Sequence, residues 1–144
     1  MQQVIKHSSS SEETFEIGQL LAKDFIKGQV LLFEGVLGAG KTQLIKGICH
    51  HFGLDSSQVQ SPTYSLHHNY PTPKFLIDHF DLYRLKDSKE FLERGFYDTL
   101  QASDLCLVEW PSKIDQAIFN NFCTIKISLK ITGESSREII ITYG

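Results

Sequence analysis

The chain has 144 residues, which at roughly 150 per domain implies one domain over 1–144. Hydrophobic residues make up 41% and charged residues 22%, a globular balance that excludes wholesale disorder. With 14 Lys+Arg against 17 Asp+Glu the net charge is −3, which disfavours nucleic-acid binding by bulk phosphate neutralisation but leaves open a partner that itself binds RNA.

Cys49, Cys106 and Cys123 are odd in number and form no CxxC pair, so neither a disulfide framework nor a zinc knuckle is expected. Their apolar neighbours imply buried, inert thiols. Residues 1–15 are polar, with no apolar core for a signal peptide, and no apolar run exceeds four residues against the ~20 of a membrane helix. A cytoplasmic protein without membrane association is expected.

In chain order, the Ser8–Ser11 run reads as a solvated lead-in to a helix, with Ser10 and Glu13 spaced as a capping box. Phe15, Gly18, Leu21, Ala22 and Phe25 then recur at helical spacing, and Lys27-Gly28 supplies a stop. Val30–Phe33 reads as a strand buried on both faces. Glycines at 35, 38 and 40 precede a helix from Lys41 whose apolar face is Leu44, Ile45, Ile48, Cys49 and Phe52, ended by Gly53. Tyr64–Tyr70 and Phe75–Leu82 read as antiparallel strands. Asp87 and Glu90 cap a helix through Phe91 and Leu92, Leu105–Val108 is a second doubly buried strand, and Cys123–Ile131 with Glu138–Thr142 form a hairpin. This alternation predicts an α/β fold with a mixed, mainly parallel sheet and a C-terminal antiparallel hairpin.

Gly35-Val36-Leu37-Gly38-Ala39-Gly40-Lys41-Thr42 matches G-x-x-x-x-G-K-[ST], the phosphate-binding P-loop. The glycines let the backbone wrap a phosphate and turn N–H groups inward, while the following helix aims its positive end at the same anion. Lys41 is placed to reach β- and γ-phosphates and the Thr42 hydroxyl to join a Mg²⁺ shell. The strand before the loop and the amphipathic helix after it are the context the motif requires.

Two acidic positions follow. Glu109 ends the buried strand Leu105–Val108, where ligands of open α/β sheets sit, and is placed to orient or deprotonate water. In Asp78–Arg84, strand alternation puts His79, Asp81 and Tyr83 on one face, with Asp81 a Mg²⁺-side carboxylate and Asp78 a solvated surface residue. His79 is either a support for Asp81 or a core residue. No N-K-x-D or D-x-x-G motif marks a GTPase, and no Leu-Ser-Gly-Gly-Gln signature marks a transporter ATPase. Arg84, Arg94 and Arg137 are too few for the phosphate clamp of a small nucleoside or nucleotide kinase. An ATPase, such a kinase and a nucleotide-dependent assembly module with slow hydrolysis all stay open on the residues alone.

The set Gly35–Thr42, Ser61-Pro62-Thr63-Tyr64, His79–Arg84 and Val108-Glu109-Trp110 resembles the TsaE (YjeE) family of bacterial ATPases in order and spacing, over roughly residues 10–111. The resemblance implies an Mg²⁺-dependent ATPase that binds ATP and ADP and serves threonylcarbamoyladenosine formation at position 37 of tRNAs reading ANN codons. It implies a TsaB–TsaD heterodimer as partner, tRNA met only through that complex, and a monomer or weak oligomer alone. Carried over by position, Gly35, Gly38, Ala39, Gly40, Lys41, Thr42 and Gln43 hold the nucleotide. Thr42, Asp81 and Glu109 attend the metal, with Glu109 and Lys41 catalytic. Ser61, Pro62 and Thr63 form a switch-like loop near the γ-phosphate, Trp110 lies close to the nucleotide, and Thr14 approaches its base. Gln43 stands where the family commonly has Thr. The scarcity of arginine implies weak hydrolysis alone and activation by the partner.

Overall fold

A computed structural model describes residues 2–144. The elements are β1 (Gln2–Ser8), α1 (Ser11–Ala22), β2 (Gln29–Glu34), α2 (Lys41–His51), β3 (His67–Pro71), β4 (Leu76–Asp81), α3 (Ser88–Glu93), α4 (Phe96–Ala102), β5 (Leu105–Glu109), β6 (Cys123–Ile131) and β7 (Arg137–Tyr143). Among the described residues the strands form one seven-stranded sheet in the order β1-β7-β6-β2-β5-β4-β3. The middle strands β6, β2, β5 and β4 run parallel, and β1, β7 and β3 pair antiparallel at the flanks. This is the mixed, mainly parallel α/β sheet with a terminal hairpin that the alternation implies.

The doubly apolar runs follow from two covered faces. Leu31 and Phe33 of β2 and Leu105 and Leu107 of β5 pack with Leu44, Ile45 and Ile48 under α1 and α2. Val30, Leu32, Cys106 and Val108 point the other way, into Phe91, Phe96 and Leu100 of α3 and α4. A strand covered by helices on both sides has no solvated face, so its residues need not alternate.

Helices α1 and α2 cross at a pair of glycines. A Cβ on Gly47 would lie 2.0 Å from the Phe15 carbonyl oxygen, and one on Gly18 would lie 2.3 Å from that of Leu44. The two backbones touch where side chains would hold them apart, which lets the helices cover the sheet as one layer. Ser10 caps α1, its hydroxyl accepting the Glu13 N–H at 3.1 Å. The reciprocal half of the box is displaced by one residue: the Glu13 carboxylate accepts the N–H and O–H of Ser9, both at 2.7 Å.

Several expectations are corrected. Ser9 and Ser10 lead into α1 as expected, but Ser8 is buried at the end of β1, an edge strand over Gln2–Ser8 that the sequence pattern does not predict and along which only Ser8 is buried. The first apolar helix ends at Ala22, although Phe25 beyond it remains in the core. Strand β3 begins at His67 and not at Tyr64, because Thr63–Ser65 form a turn and Leu66 is left-handed (φ 68°). Asp78 is not a solvated carboxylate. It is 3% exposed and accepts hydrogen bonds from His67 Nε2 at 2.7 Å and Asn69 Nδ2 at 3.1 Å. Cys49 and Cys106 are buried as expected, but Cys123 is exposed at the start of β6. No helix among the described residues is long and apolar enough to cross a membrane.

Candidate functional site

The chain leaves the carboxyl end of β2 at Glu34, wraps through Gly35–Gly40 and enters α2 at Lys41. Gly40 is the N-cap of α2 at φ 100°, a left-handed conformation that L side chains rarely adopt, and no side chain caps the helix there. The free N–H groups of the first helical turn thus face the loop, the arrangement that attracts anions. Arg137, at the start of β7, braces the loop from outside: its Nε donates to the Ala39 carbonyl at 3.0 Å and its Nη2 to that of Gly38 at 3.3 Å.

Lys41 is 6% exposed, and its ammonium donates to the carbonyls of Gly35 and of Val36 (3.3 Å). It also lies 4.2 Å from the centre of the Trp110 ring. Burial pulls the Lys41 ammonium below its ordinary range, while Glu109, Glu34 and Asp81 oppose that shift. Trp110 follows β5 with φ 58°, an outlier for a bulky residue. Its N–H donates to the Phe33 carbonyl at 3.3 Å, and its ring packs 4.9 Å from that of Tyr83.

Parallel pairing of β4 with β5 sets Asp81 opposite Glu109 at the carboxyl ends of both strands. Ile77, His79 and Asp81 share the α2 face of β4, and Leu105, Leu107 and Glu109 share that of β5. Asp81 accepts the Tyr83 N–H at 3.0 Å and the Thr63 hydroxyl at 3.4 Å. Burial raises the Asp81 carboxyl above its ordinary value despite the Tyr83 bond, and the Glu109 charge adds to that rise. The Ser61 hydroxyl donates to Glu109 Oε2 at 2.9 Å, so it receives the Thr42 hydroxyl proton across 2.9 Å. His79 meets the same Oε2 through Nε2 at 2.7 Å, so it supports Glu109 and not Asp81.

Gly38, Ala39, Lys41, Thr42, Ser61, Thr63, Asp81, Glu109 and Trp110 line one cavity of about 200 Å³. Pro62 is buried within the loop, its carbonyl accepting the Leu66 N–H at 2.7 Å, and does not line the cavity. Thr14, Gly40 and Gln43 lie beside a second cavity of about 100 Å³, with Ser11, Glu134, Ser135 and Arg137. The Thr14 hydroxyl is engaged there by Ser8 Oγ at 2.7 Å and by the Ser10 carbonyl at 3.2 Å. Arg84 lies outside both cavities, stacked 4.4 Å from the ring of the exposed Tyr64. Sequence reasoning missed Arg137, which reaches the loop from 98 residues away and stands in no local motif. It also missed the His79–Glu109 contact, a diagonal across two strands that alternation within one strand cannot give.

A sheet covered on both faces, with a G-x-x-x-x-G-K-T loop joining an inner strand to a helix, defines a P-loop NTPase fold. The solved structure of Bacillus subtilis YdiB superposes on it with a TM-score of 0.74 at 27% identity, covering 99% of this chain and 86% of that one. The family model "Threonylcarbamoyl adenosine biosynthesis protein TsaE" matches residues 8–139. The chain belongs to the TsaE family. It is 36% identical over 129 residues to the tRNA threonylcarbamoyladenosine biosynthesis protein TsaE of Rickettsia felis, covering 90% of this chain and 74% of that protein. With the Bacillus subtilis protein of the same name it shares 34% over 142 residues, covering 99% and 87%.

Proposed function

We propose that this chain is an Mg²⁺-dependent ATPase that works with a TsaB–TsaD pair in making threonylcarbamoyladenosine at position 37 of tRNAs reading ANN codons. The observation that carries the reading is the single cavity in which Lys41, Thr42, Ser61, Asp81 and Glu109 meet beneath the glycine loop. The loop and the first turn of α2 bind the phosphates of ATP or ADP, with Lys41 as the cation that leaves the Gly35 and Val36 carbonyls for phosphate oxygens. Glu109 orients the attacking water or accepts its proton, at the end of β5 where the sheet delivers it.

The donor set suits a hard divalent cation. Thr42, Ser61, Asp81 and Glu109 offer only oxygen, and no group of three His, Cys, Asp or Glu gathers among the described residues into a cage of its own. That matches Mg²⁺, which takes one or two carboxylates and fills its shell from phosphates and water. When bound, it would supply charge neutralisation of the β- and γ-phosphate oxygens. Thr42, Asp81 and Glu109 would hold it.

The second cavity, with Thr14 and Gln43 beside the same loop, supports a place for the adenine end of the nucleotide. Arginine is absent from the first cavity among the described residues, and Arg84 is spent on Tyr64. This supports slow hydrolysis alone and acceleration by the partner pair, as in P-loop hydrolases whose arginine comes in trans. The test is ATP hydrolysis and ADP binding by the purified chain, with and without TsaB–TsaD. Lys41→Ala weakens binding by about tenfold or more, since a charge-assisted contact contributes roughly 1.5–3 kcal/mol. Glu109→Ala keeps binding and loses hydrolysis. Normal hydrolysis by the Glu109 variant, or a rate untouched by the pair, refutes the assignment.

A further inference from the structure

His79 is a polar side chain with 0% exposure in the core between the sheet and α2, a position where an aliphatic residue would pack without any demand for partners. Both its ring nitrogens are matched. Nε2 lies 2.7 Å from Glu109 Oε2, and because a carboxylate only accepts, the proton belongs to the histidine. Nδ1 lies 3.2 Å from the hydroxyl of Tyr70 on β3, and that hydroxyl lies 3.1 Å from the Gln60 carbonyl. Gln60 is covalently joined to Ser61, whose own hydroxyl donates to Glu109 Oε2 at 2.9 Å. The path from Glu109 through His79, Tyr70, Gln60 and Ser61 therefore returns to the oxygen from which it started.

The closed path has a directional consequence. Both protein donors, Ser61 and His79, converge on Oε2, and Oε1 has no hydrogen-bond partner in the protein. No buried side-chain oxygen among the described residues lacks a partner, so Oε1 is the oxygen open to the cavity that Glu109 lines. Oε2 is the anchored atom and Oε1 the working one. We infer that His79 is a positioning residue that fixes Glu109 for its reaction and, through Tyr70, ties that position to the loop at Gln60-Ser61. A loop displaced from its seat loses the Ser61 bond to Glu109 and the Gln60–Tyr70 bond together, so Glu109 keeps His79 alone on Oε2 and His79 loses its tie to the loop. The inference rests on the proposed role of Glu109 and adds to it the residue that makes the role depend on the loop.

The experiment compares His79→Gln, His79→Asn and Glu109→Ala in single-turnover ATP hydrolysis, alone and with the TsaB–TsaD pair, alongside equilibrium ADP binding. Glutamine places an amide donor near the Nε2 position and keeps the link to Glu109. Asparagine reaches only the Nδ1 position and loses it. The expected result is a fall in turnover of about 10- to 100-fold for His79→Asn, the size typical of losing a group that orients a ligand or base. His79→Gln stays within a few-fold of the parent, and ADP affinity is unchanged in both. A merely structural histidine would lose equally to Gln and Asn, and that outcome overturns the inference. So does full turnover by His79→Asn while Glu109→Ala is inactive, which leaves the reading of Glu109 standing. Full turnover by Glu109→Ala overturns that reading and this inference with it. Should either histidine variant fail to fold, Tyr70→Phe removes one oxygen and leaves the ring in place. A drop in its turnover with unchanged ADP affinity upholds the link to the loop, and an unchanged rate overturns it.

Discussion

Replacing Gly47 by Ala inverts the usual sign of a glycine-to-alanine change in a helix. Gly47 lies inside α2, where alanine is favoured over glycine by about 1 kcal/mol from backbone entropy alone. Propensity therefore predicts a more stable protein. At this position, however, the added methyl carbon would lie 2.0 Å from the Phe15 carbonyl oxygen, 2.9 Å from its carbonyl carbon and 3.2 Å from the Gln19 nitrogen. All three atoms are backbone of α1, so no side chain can swing aside, and relief requires the two helices to separate by more than 1 Å (on the order of the missing van der Waals distance). Overpacking of this kind costs typically ~1–3 kcal/mol and sometimes more. Set against the gain of about 1 kcal/mol, the net loss is up to about 2 kcal/mol, and greater where the backbones cannot part, read as a lower urea midpoint at unchanged slope and a lower Tm. A higher midpoint for Gly47→Ala would show that the helices are not in backbone contact, and the account of their shared layer would fall.

Asp81→Asn should stabilise the protein at neutral pH. Burial, helped by the Glu109 charge, holds the Asp81 carboxyl above its ordinary 3.8, so the native state binds that proton more tightly than the unfolded chain does. Stability then falls as pH rises from 3.8 through the raised native value, and the amide removes this loss. Urea melts at pH 7 and pH 3.5 check it: the advantage of the variant is present at the first and gone at the second, and a variant less stable at pH 7 contradicts the sign. Thiol titration of the native protein should modify Cys123 alone and promptly. Cys49 and Cys106, buried and pushed up to about 12 by burial, should react only in denaturant. Fast reaction of a second thiol in the native state would contradict their burial.

The features legible from sequence are those whose cause is local. Ser10 and Asp87 cap helices within three residues of themselves, the doubly buried runs of β2 and β5 need only their own composition, and the glycine loop is contiguous. Strand β1 is not legible because an edge strand with one buried residue carries no apolar pattern, and its identity comes from the β7 backbone, whose paired residues Arg137 to Tyr143 lie far along the chain from Ser8 to Gln2. Helix α4 has seven residues and follows an N-cap, Gly95, that offers no side chain, so neither length nor a capping signal marks it. Asp78 reads as solvated from the sequence because its partner His67 lies on the neighbouring strand. Of the candidate site residues, the sequence marks Lys41, Thr42, Asp81 and Glu109 individually. It does not show that Ser61 bridges Thr42 to Glu109, since 19 and 48 positions separate those pairs and only the packing of the loop against β5 joins them.

Trp110 is the one tryptophan in the chain, and it is held at a left-handed corner with its indole facing the Lys41 ammonium. Indole emission answers to the charge and polarity around the ring, so the protein's whole tryptophan signal originates at the mouth of the glycine loop. Any event that draws Lys41 away from the ring is written directly into that emission without a label. Conversely, a thermal transition followed by fluorescence reports first on this corner, and one followed by backbone dichroism reports on the sheet and helices. A gap between the two curves would measure how far the corner loosens before the sheet gives way.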